Sequence, residues 1–216
     1  MSAEPRAKFQ YNNIMYASMG YLIEHLTNTT LADFFRDRLW HPMGMKNTYL
    51  HPDDALAKDE DLAHAYYWNN DTEAYGEIPW SDERNIAGAG MAISSVRDMS
   101  RYLRHMLDET GPISKAGHKA IKRPRVVYDN GDHIFDHPVS YGLGWSHTVV
   151  ENEDTWFHTG RVNDMISVML IVPSRDFGFV FMMNKASVVA LESIMSKVFS
   201  YLFKTDPGKH RKIEEM

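Results

Sequence analysis

The chain has 216 residues, 44% apolar and 24% charged, which is enough for one domain or two intimately packed lobes and is not the composition of a disordered polypeptide. A net charge of −6 removes nucleic acid as an expected partner, because a phosphate-binding protein needs a basic face. The absence of cysteine removes a disulfide scaffold, a thiol nucleophile and thiolate metal sites.

Residues 1–8 read as a solvated leader. Next comes Tyr11-Asn12-Asn13, and from Ile14 the apolar residues Met15, Met19, Leu22 and Leu26 recur at spacings of four, three and four, the signature of a one-faced helix. Thr30 with Asp33 forms a capping-box pattern that opens a second helix through Leu31, Phe34, Phe35 and Leu39. Pro42 and Gly44 stop it. Residues 51–86 are polar and aromatic with little periodicity, so they read as long surface loops. Tyr66, Tyr67, Trp68, Tyr75 and Trp80 argue against disorder there; they would either pack the loops together or wall a cleft.

Ala87-Gly88-Ala89-Gly90-Met91 leads to Ser95 and Asp98, a second capping box, and to a helix through Met99, Tyr102, Leu103, Met106 and Leu107 that Gly111-Pro112 ends. A G-x-G ahead of a helix can cradle phosphate, but no parallel strand precedes this one and no lysine is placed for it. Ser114 to Lys122 is a short basic helix, and 124–138 a loop with a turn at Asp129-Asn130-Gly131-Asp132. His133 and His137, beside Asp132 and Asp136, would share a helical face and hold a metal. The Asn-Gly pair and Pro138 oppose a helix there, and no metal site is expected.

The last third changes period. Tyr141-Gly142-Leu143-Gly144-Trp145 opens a strand, and Asp154 to Thr159 is a second short one. Met165 to Val172 is a continuous apolar run ended by Pro173, which predicts a strand buried on both faces. Phe177 to Met183 pairs with it through Ser174-Arg175-Asp176, and Val188, Leu191, Met195, Val198 and Leu202 form one stripe of a closing helix. The layout is α+β: a helical lobe (9–123), then an antiparallel sheet covered by a C-terminal helix (139–204), with tails at 1–8 and 205–216. The basic Lys204–Lys212 tail reads as a solvated end. No apolar run reaches membrane-spanning length and no signal-peptide core is present, which makes the cytoplasm the default expectation.

The order of these motifs carries more than any one of them. Tyr11-x-Asn13 ahead of a helix comes first, followed by Pro42-Met43-Gly44-Met45 and then Ala87-Gly88 before a capped helix. Tyr141-Gly142-Leu143-Gly144-Trp145 and His158-Thr159-Gly160 before an apolar strand pair complete the series. Together, across about residues 9–204, they resemble the serine β-lactamase and penicillin-binding-protein superfamily, especially its class C and esterase-like branch. The resemblance implies a β-lactamase/transpeptidase-like fold, incomplete at its N-terminus. It also implies acyl transfer from an ester, amide or lactam, with a small-molecule acyl substrate and no cofactor.

Carried over by motif, Tyr11 would be the general base, its pKa lowered by neighbouring cations. Asn13 would hold the nucleophile's network and donate to the substrate amide. His158 would orient Tyr11 and supply partial positive charge, and Thr159 would face the substrate carboxylate or leaving group. The N–H that follows Gly160, that of Arg161, would be an oxyanion donor. The Arg161 side chain, where relatives have small residues, would narrow the cleft or read a carboxylate. From the residues alone, Tyr11 and Asn13 would serve equally well as a helix cap and His158 as a hydrogen-bonded strand histidine.

The family's third motif, Ser-x-x-Lys, carries the nucleophile, and no serine here has a lysine three residues on. The expectation is a hydrolase domain inactive alone, with an unpaired sheet edge, completed by an N-terminal segment or by self-association. The alternatives are a non-catalytic relative that binds a small carboxylate or peptide end, and an interaction module.

Overall fold

The computed structural model describes residues 3–4, 7–58, 61–81, 84–128 and 137–205. Helix α1 (Asn13–Thr27) starts where Asn12, in extended conformation, accepts the Met15 N–H on its Oδ1 at 3.2 Å, and it ends at Asn28 with φ 52°. Thr30 caps α2 (Leu31–Phe35): its Oγ1 accepts the Asp33 N–H at 3.1 Å and donates to the Asp33 carboxylate at 2.7 Å. The helix continues as one π-type turn, Arg36–Trp40. Gly44, at φ 75°, reverses the chain and delivers Met43 and Met45 into a core with Leu31, Trp40 and Leu50.

The stretch 51–86 is not a run of loops. It holds α3 (Pro52–Leu56) and a hairpin of β1 (Ala65–Asn69) and β2 (Ala74–Ile78). Trp68 faces Tyr75 across the pair, edge to face at 5.0 Å, and the Tyr67 ring covers Gly76. Tyr66 N–H and the Asn184 carbonyl, with Asn184 Nδ2 and the His64 carbonyl, tie the hairpin to the main sheet at 3.0 and 2.9 Å. The aromatic density hid its alternation.

Ser95 caps α4 (Val96–Asp108) by accepting the Asp98 N–H at 3.2 Å. Asp98, only 2% exposed, takes Asn47 N–H at 2.6 Å, Thr48 Oγ1 at 3.0 Å and the Arg101 guanidinium, so it binds the helix to the preceding segment. The helix ends at Glu109, left-handed at φ 51°, ahead of the Gly111-Pro112 expected to stop it. Helix α5 (Lys115–Lys122) is capped by Ser114.

Six strands then lie side by side in chain order, all antiparallel. They are β3 (Val126–Tyr128), β4 (Val139–Tyr141), β5 (Ser146–Val150), β6 (Glu153–Val162), β7 (Met165–Val172) and β8 (Phe177–Met183). Tyr141 closes β4 and does not open a strand; Gly142–Trp145 is the turn to β5, with Gly144 at φ 74°. The short strand expected at Asp154–Thr159 is ten residues long, because two-residue turns bound it. Glu151-Asn152 (φ 49° and 64°) and Asn163-Asp164 (φ 48° and 60°) are both left-handed at both positions, the type I′ geometry that extends strand pairing to the turn.

Helix α6 (Val188–Phe203), capped by Ser187, covers one face of the sheet: Met195 and Phe199 pack on Phe157, Val168, Leu170 and Val172. On the other face Leu103 and Met106 of α4 meet Trp145 and Ile171. β7 is therefore buried on both sides, as its unbroken apolar run predicts. The turn expected at Asp129–Asp132, and His133, Asp132 and Asp136 of the metal motif considered above, lie outside the described residues. No helix among the described residues is long and apolar enough to cross a membrane.

The stripe that identifies α1 faces outward. Met15, Met19, Leu22 and Leu26 are 59%, 49%, 42% and 73% exposed, while Gly20 is buried and Ala17 and Ile23 are half-buried. α1 instead rests on the Arg84–Ala89 turn. A Cβ on Gly88 would lie 2.7 Å from the Tyr16 carbonyl oxygen, and one on Gly20 would lie 2.9 Å from Leu31 Cδ2. The Ala-Gly-Ala-Gly stretch is thus a seat for a helix backbone.

Truncating Phe199, which is fully buried, to alanine should cost about 3–5 kcal/mol in urea unfolding, whereas Tyr201→Ala, at 87% exposure on the same helix, should stay within about 0.5 kcal/mol of the parent.

Candidate active site

The lead-in to α1 and the second half of β6 meet. The Tyr11 ring lies 6.4 Å from the His158 ring and 6.3 Å, edge on, from Tyr141. Phe9 stacks on Tyr128 at 4.2 Å and leans on Tyr141 at 5.3 Å, closing an aromatic wall behind them. A phenol and an imidazole remote in sequence therefore lie side by side. Asn13 is the first residue of α1 and exposed, and the capping role falls to Asn12.

The electrostatics of Tyr11 run opposite to expectation. Its pKa is raised, first by burial and then by the Tyr16 phenol, and no cation contributes among the described residues. His158 is held below its ordinary 6.5 by burial, against a hydrogen bond with the Thr159 backbone that works the other way. It is a neutral imidazole, and it supplies no formal charge to Tyr11. Its Nε2 lies 3.1 Å from Tyr141 Oη, so the phenol it directly engages is Tyr141. Burial, then Tyr16, Tyr11 and Tyr128, push Tyr141 far above the usual phenol range. Tyr141 and Tyr16 were not foreseen as site residues. Tyr141 sits in a motif that reads as a strand opener, and Tyr16 lies within a helical run.

Strand β6 offers one open side here. Its ladder with β5 stops at Ser146↔Phe157, while its ladder with β7 runs on to Val162↔Met165. Residues 158–162 thus have a strand neighbour on one side only among the described residues. A two-residue I′ turn makes Val162 and Met165 a hydrogen-bonded pair, and antiparallel pairs alternate. Thr159 and Arg161 accordingly aim their N–H and C=O away from β7, at the open side. This is the orientation an oxyanion donor at Arg161 requires. A Cβ on Gly160 would lie 2.7 Å from Ser167 Oγ, which explains a glycine at this place.

The Thr159 side chain is exposed. The Arg161 guanidinium turns to the hairpin tip, 2.8 Å from Asp164, which also binds Lys185 at 2.8 Å. Lys185 and Arg161 hold the Asp164 carboxyl below the usual range. Asn163 Nδ2 donates to Ser81 Oγ at 3.0 Å. The bulky Arg161-Val162-Asn163-Asp164 run is thus a turn tied to Ser81 and Lys185, and within it Arg161 already has a carboxylate partner. Among the described residues, no three His, Asp or Glu side chains converge as a metal site would need.

The family model described as Beta-lactamase matches residues 1–194, and the chain belongs to that family. "Unguisins hydrolase ungD'" of Aspergillus campestris is 34% identical over 184 residues, covering 85% of this chain and 34% of the relative. A "D-aminopeptidase" of Cereibacter sphaeroides is 24% identical over 158 residues, covering 73% of this chain and 28% of its own length. The octameric penicillin-binding protein homologue from Pyrococcus abyssi superposes with a TM-score of 0.84 at 21% identity, over 96% of this chain and 45% of that one. The chain thus spans about a third of the curated relatives it matches and shares the β-lactamase and penicillin-binding-protein fold.

Because the folded state resists protonating His158 more than the unfolded chain does, its contribution to stability is complete above pH 6.5 and is lost as the pH falls below it. His158→Gln should therefore shrink the drop in urea midpoint between about pH 7.5 and about pH 5 seen in the parent.

Proposed function

We propose that this chain supplies the proton-handling phenol and the substrate-facing strand edge of a serine hydrolase that opens amide bonds beside amino-acid residues, with the nucleophilic serine and its lysine contributed by a segment outside these residues. The observation that carries this reading is the approach of Tyr11 to His158 beside the open side of β6. The name of one relative, a D-aminopeptidase, favours an amide beside an amino-acid residue.

In this scheme the substrate lies along residues 158–162 and the serine hydroxyl attacks its carbonyl carbon. The serine proton passes to Tyr11, the oxyanion takes the Arg161 N–H, and Tyr11 returns the proton to the departing amine as the C–N bond breaks. Water then repeats the sequence on the acyl-enzyme, releasing the acid and regenerating the serine. Tyr11 with a raised pKa is an acid; it becomes a base only when a cation stands beside it. The lysine of Ser-x-x-Lys is that cation, which makes the 216 residues inactive alone. The exposed apolar stripe of α1 and the outer edge of β8 favour assembly with such a segment.

Chromogenic D-amino-acid amides, esters and a cephalosporin, offered to the chain alone and to the chain fused behind a family segment bearing Ser-x-x-Lys, decide the matter. The expected result is no turnover alone and turnover after fusion, reduced at least ~100-fold in kcat/KM by Tyr11→Phe. Turnover by the chain alone, or a fused enzyme indifferent to Tyr11→Phe, would overturn it.

A further inference from the structure

We propose that Trp156 is a positioning residue: its indole N–H, fastened to the last carbonyl of α5, fixes where β6 lies against the turn that follows Tyr141, and so holds the His158 imidazole against the Tyr141 phenol. The catalytic consequence rests on the function proposed above; the placement of His158 does not.

The last four carbonyls of a helix have no partner within it and must find donors elsewhere. In α5 every one of them has done so. The Lys119 carbonyl accepts the Arg123 N–H, and the Ala120 carbonyl accepts from Nη2 of Arg125 at 3.2 Å. The other two are satisfied by the segments that carry the site. The Ile121 carbonyl accepts the Leu143 N–H at 2.9 Å, and the Lys122 carbonyl accepts the Trp156 Nε1–H at 3.2 Å.

Leu143 is two residues past Tyr141. Trp156 is two residues before His158, on the same face of β6, because side chains alternate along a strand. The chain at Tyr141 is held twice more. Its carbonyl accepts the Arg125 N–H at 2.9 Å, and a Cβ on Gly142 would collide with the Ile121 carbonyl oxygen. That close approach explains why a glycine follows Tyr141. Two neighbouring carbonyls of one helix thus set the spacing between the end of β4 and β6. The 3.1 Å contact of Tyr141 Oη with His158 Nε2 spans that spacing.

The helix end is itself anchored. Lys122, with a side chain only 10% exposed, donates from Nζ to the Met106 carbonyl in the last turn of α4 at 3.0 Å and to the Glu109 carboxylate at 2.8 Å. Sliding α5 along α4 would strip a nearly buried ammonium of its partners. The Trp156 ring packs against the core of Leu103, Met106, Trp145 and Ile171 and meets the His147 ring at 4.8 Å. A phenylalanine keeps an aromatic ring in that place and lacks only the N–H, which isolates the hydrogen bond.

The test is the titration of His158, followed by 1H–15N NMR of the 15N-labelled chain in the parent and in Trp156→Phe. The groups beside the imidazole are the phenols of Tyr141 and Tyr11. Burial holds the imidazole below its ordinary range. A β6 that no longer sits against the Tyr141 turn admits water, and the midpoint rises toward the ordinary value, by about half a pH unit or more. Leu50→Ala, in the core of the helical lobe, loosens the fold elsewhere and leaves the midpoint where it was. An unchanged midpoint in Trp156→Phe, or an equal rise in Leu50→Ala, overturns the proposal. If Trp156→Phe does not fold, Lys122→Met decides, since it frees the end of α5 without touching β6: a rise supports the proposal and an unchanged midpoint ends it. In the chain fused behind a Ser-x-x-Lys segment, Trp156→Phe should lower kcat about tenfold with KM held within about twofold. An unchanged kcat in a variant whose midpoint has moved removes the catalytic role. A fused parent without turnover sinks the proposed hydrolase and leaves the placement of His158 standing.

Discussion

The arrangement of the cleft depends on one close approach, the backbone of α1 lying directly on Gly88. The Tyr16 carbonyl and the Gly20 backbone come so near that a single methyl group on either glycine would meet another atom inside normal contact. That approach fixes where α1 begins, and so where Tyr11 hangs relative to β6. A helix usually sits by burying its apolar stripe. This one sits on its small residues and turns the stripe outward, so its position owes more to steric fit than to hydrophobic area. The helix can therefore present a second face to something else without losing its place.

The opposite wall is set by turn geometry. Two I′ hairpins hold β6 in register, and the ladder with β5 ends where the ladder with β7 still continues. A half-free strand inside a well-packed sheet is rigid yet able to pair. Phe157 anchors it in the core on one side of His158, and Gly160 lets it lie against Ser167 on the other. The imidazole is thus held by its strand and by the Tyr141 phenol together.

Much of this was legible in the residues. The caps at Thr30 and Ser95, the doubly buried Met165–Val172 strand and the closing helix follow from local chemistry, because each is decided by groups within a few positions. The motif order was enough to bring Tyr11 and His158 to one place. What stayed hidden depends on distant partners. Periodicity identifies α1 as a helix but not which face is covered, since that depends on Gly88, far along the chain. The β1–β2 hairpin was masked by aromatics on both faces, although the turn-forming Asn69–Thr72 run between two aromatic stretches was its signal. Asn163-Asp164 could have been read as an I′ turn, which would have assigned Arg161 to a hairpin end. The raised pKa of Tyr11 was out of reach, because it reflects burial and the neighbouring Tyr16 phenol, both set by the fold.

The outer strand of the sheet has a consequence of its own. Nothing along Phe177–Met183 carries a charge, and no proline or lysine interrupts it. Bordered by β7 alone among the described strands, it offers a flat template of amide groups and aromatic side chains to any extended peptide that drifts past. A border of that kind is one that natural sheets commonly blunt with charge, proline or a covering segment, and here the strand itself supplies neither charge nor proline.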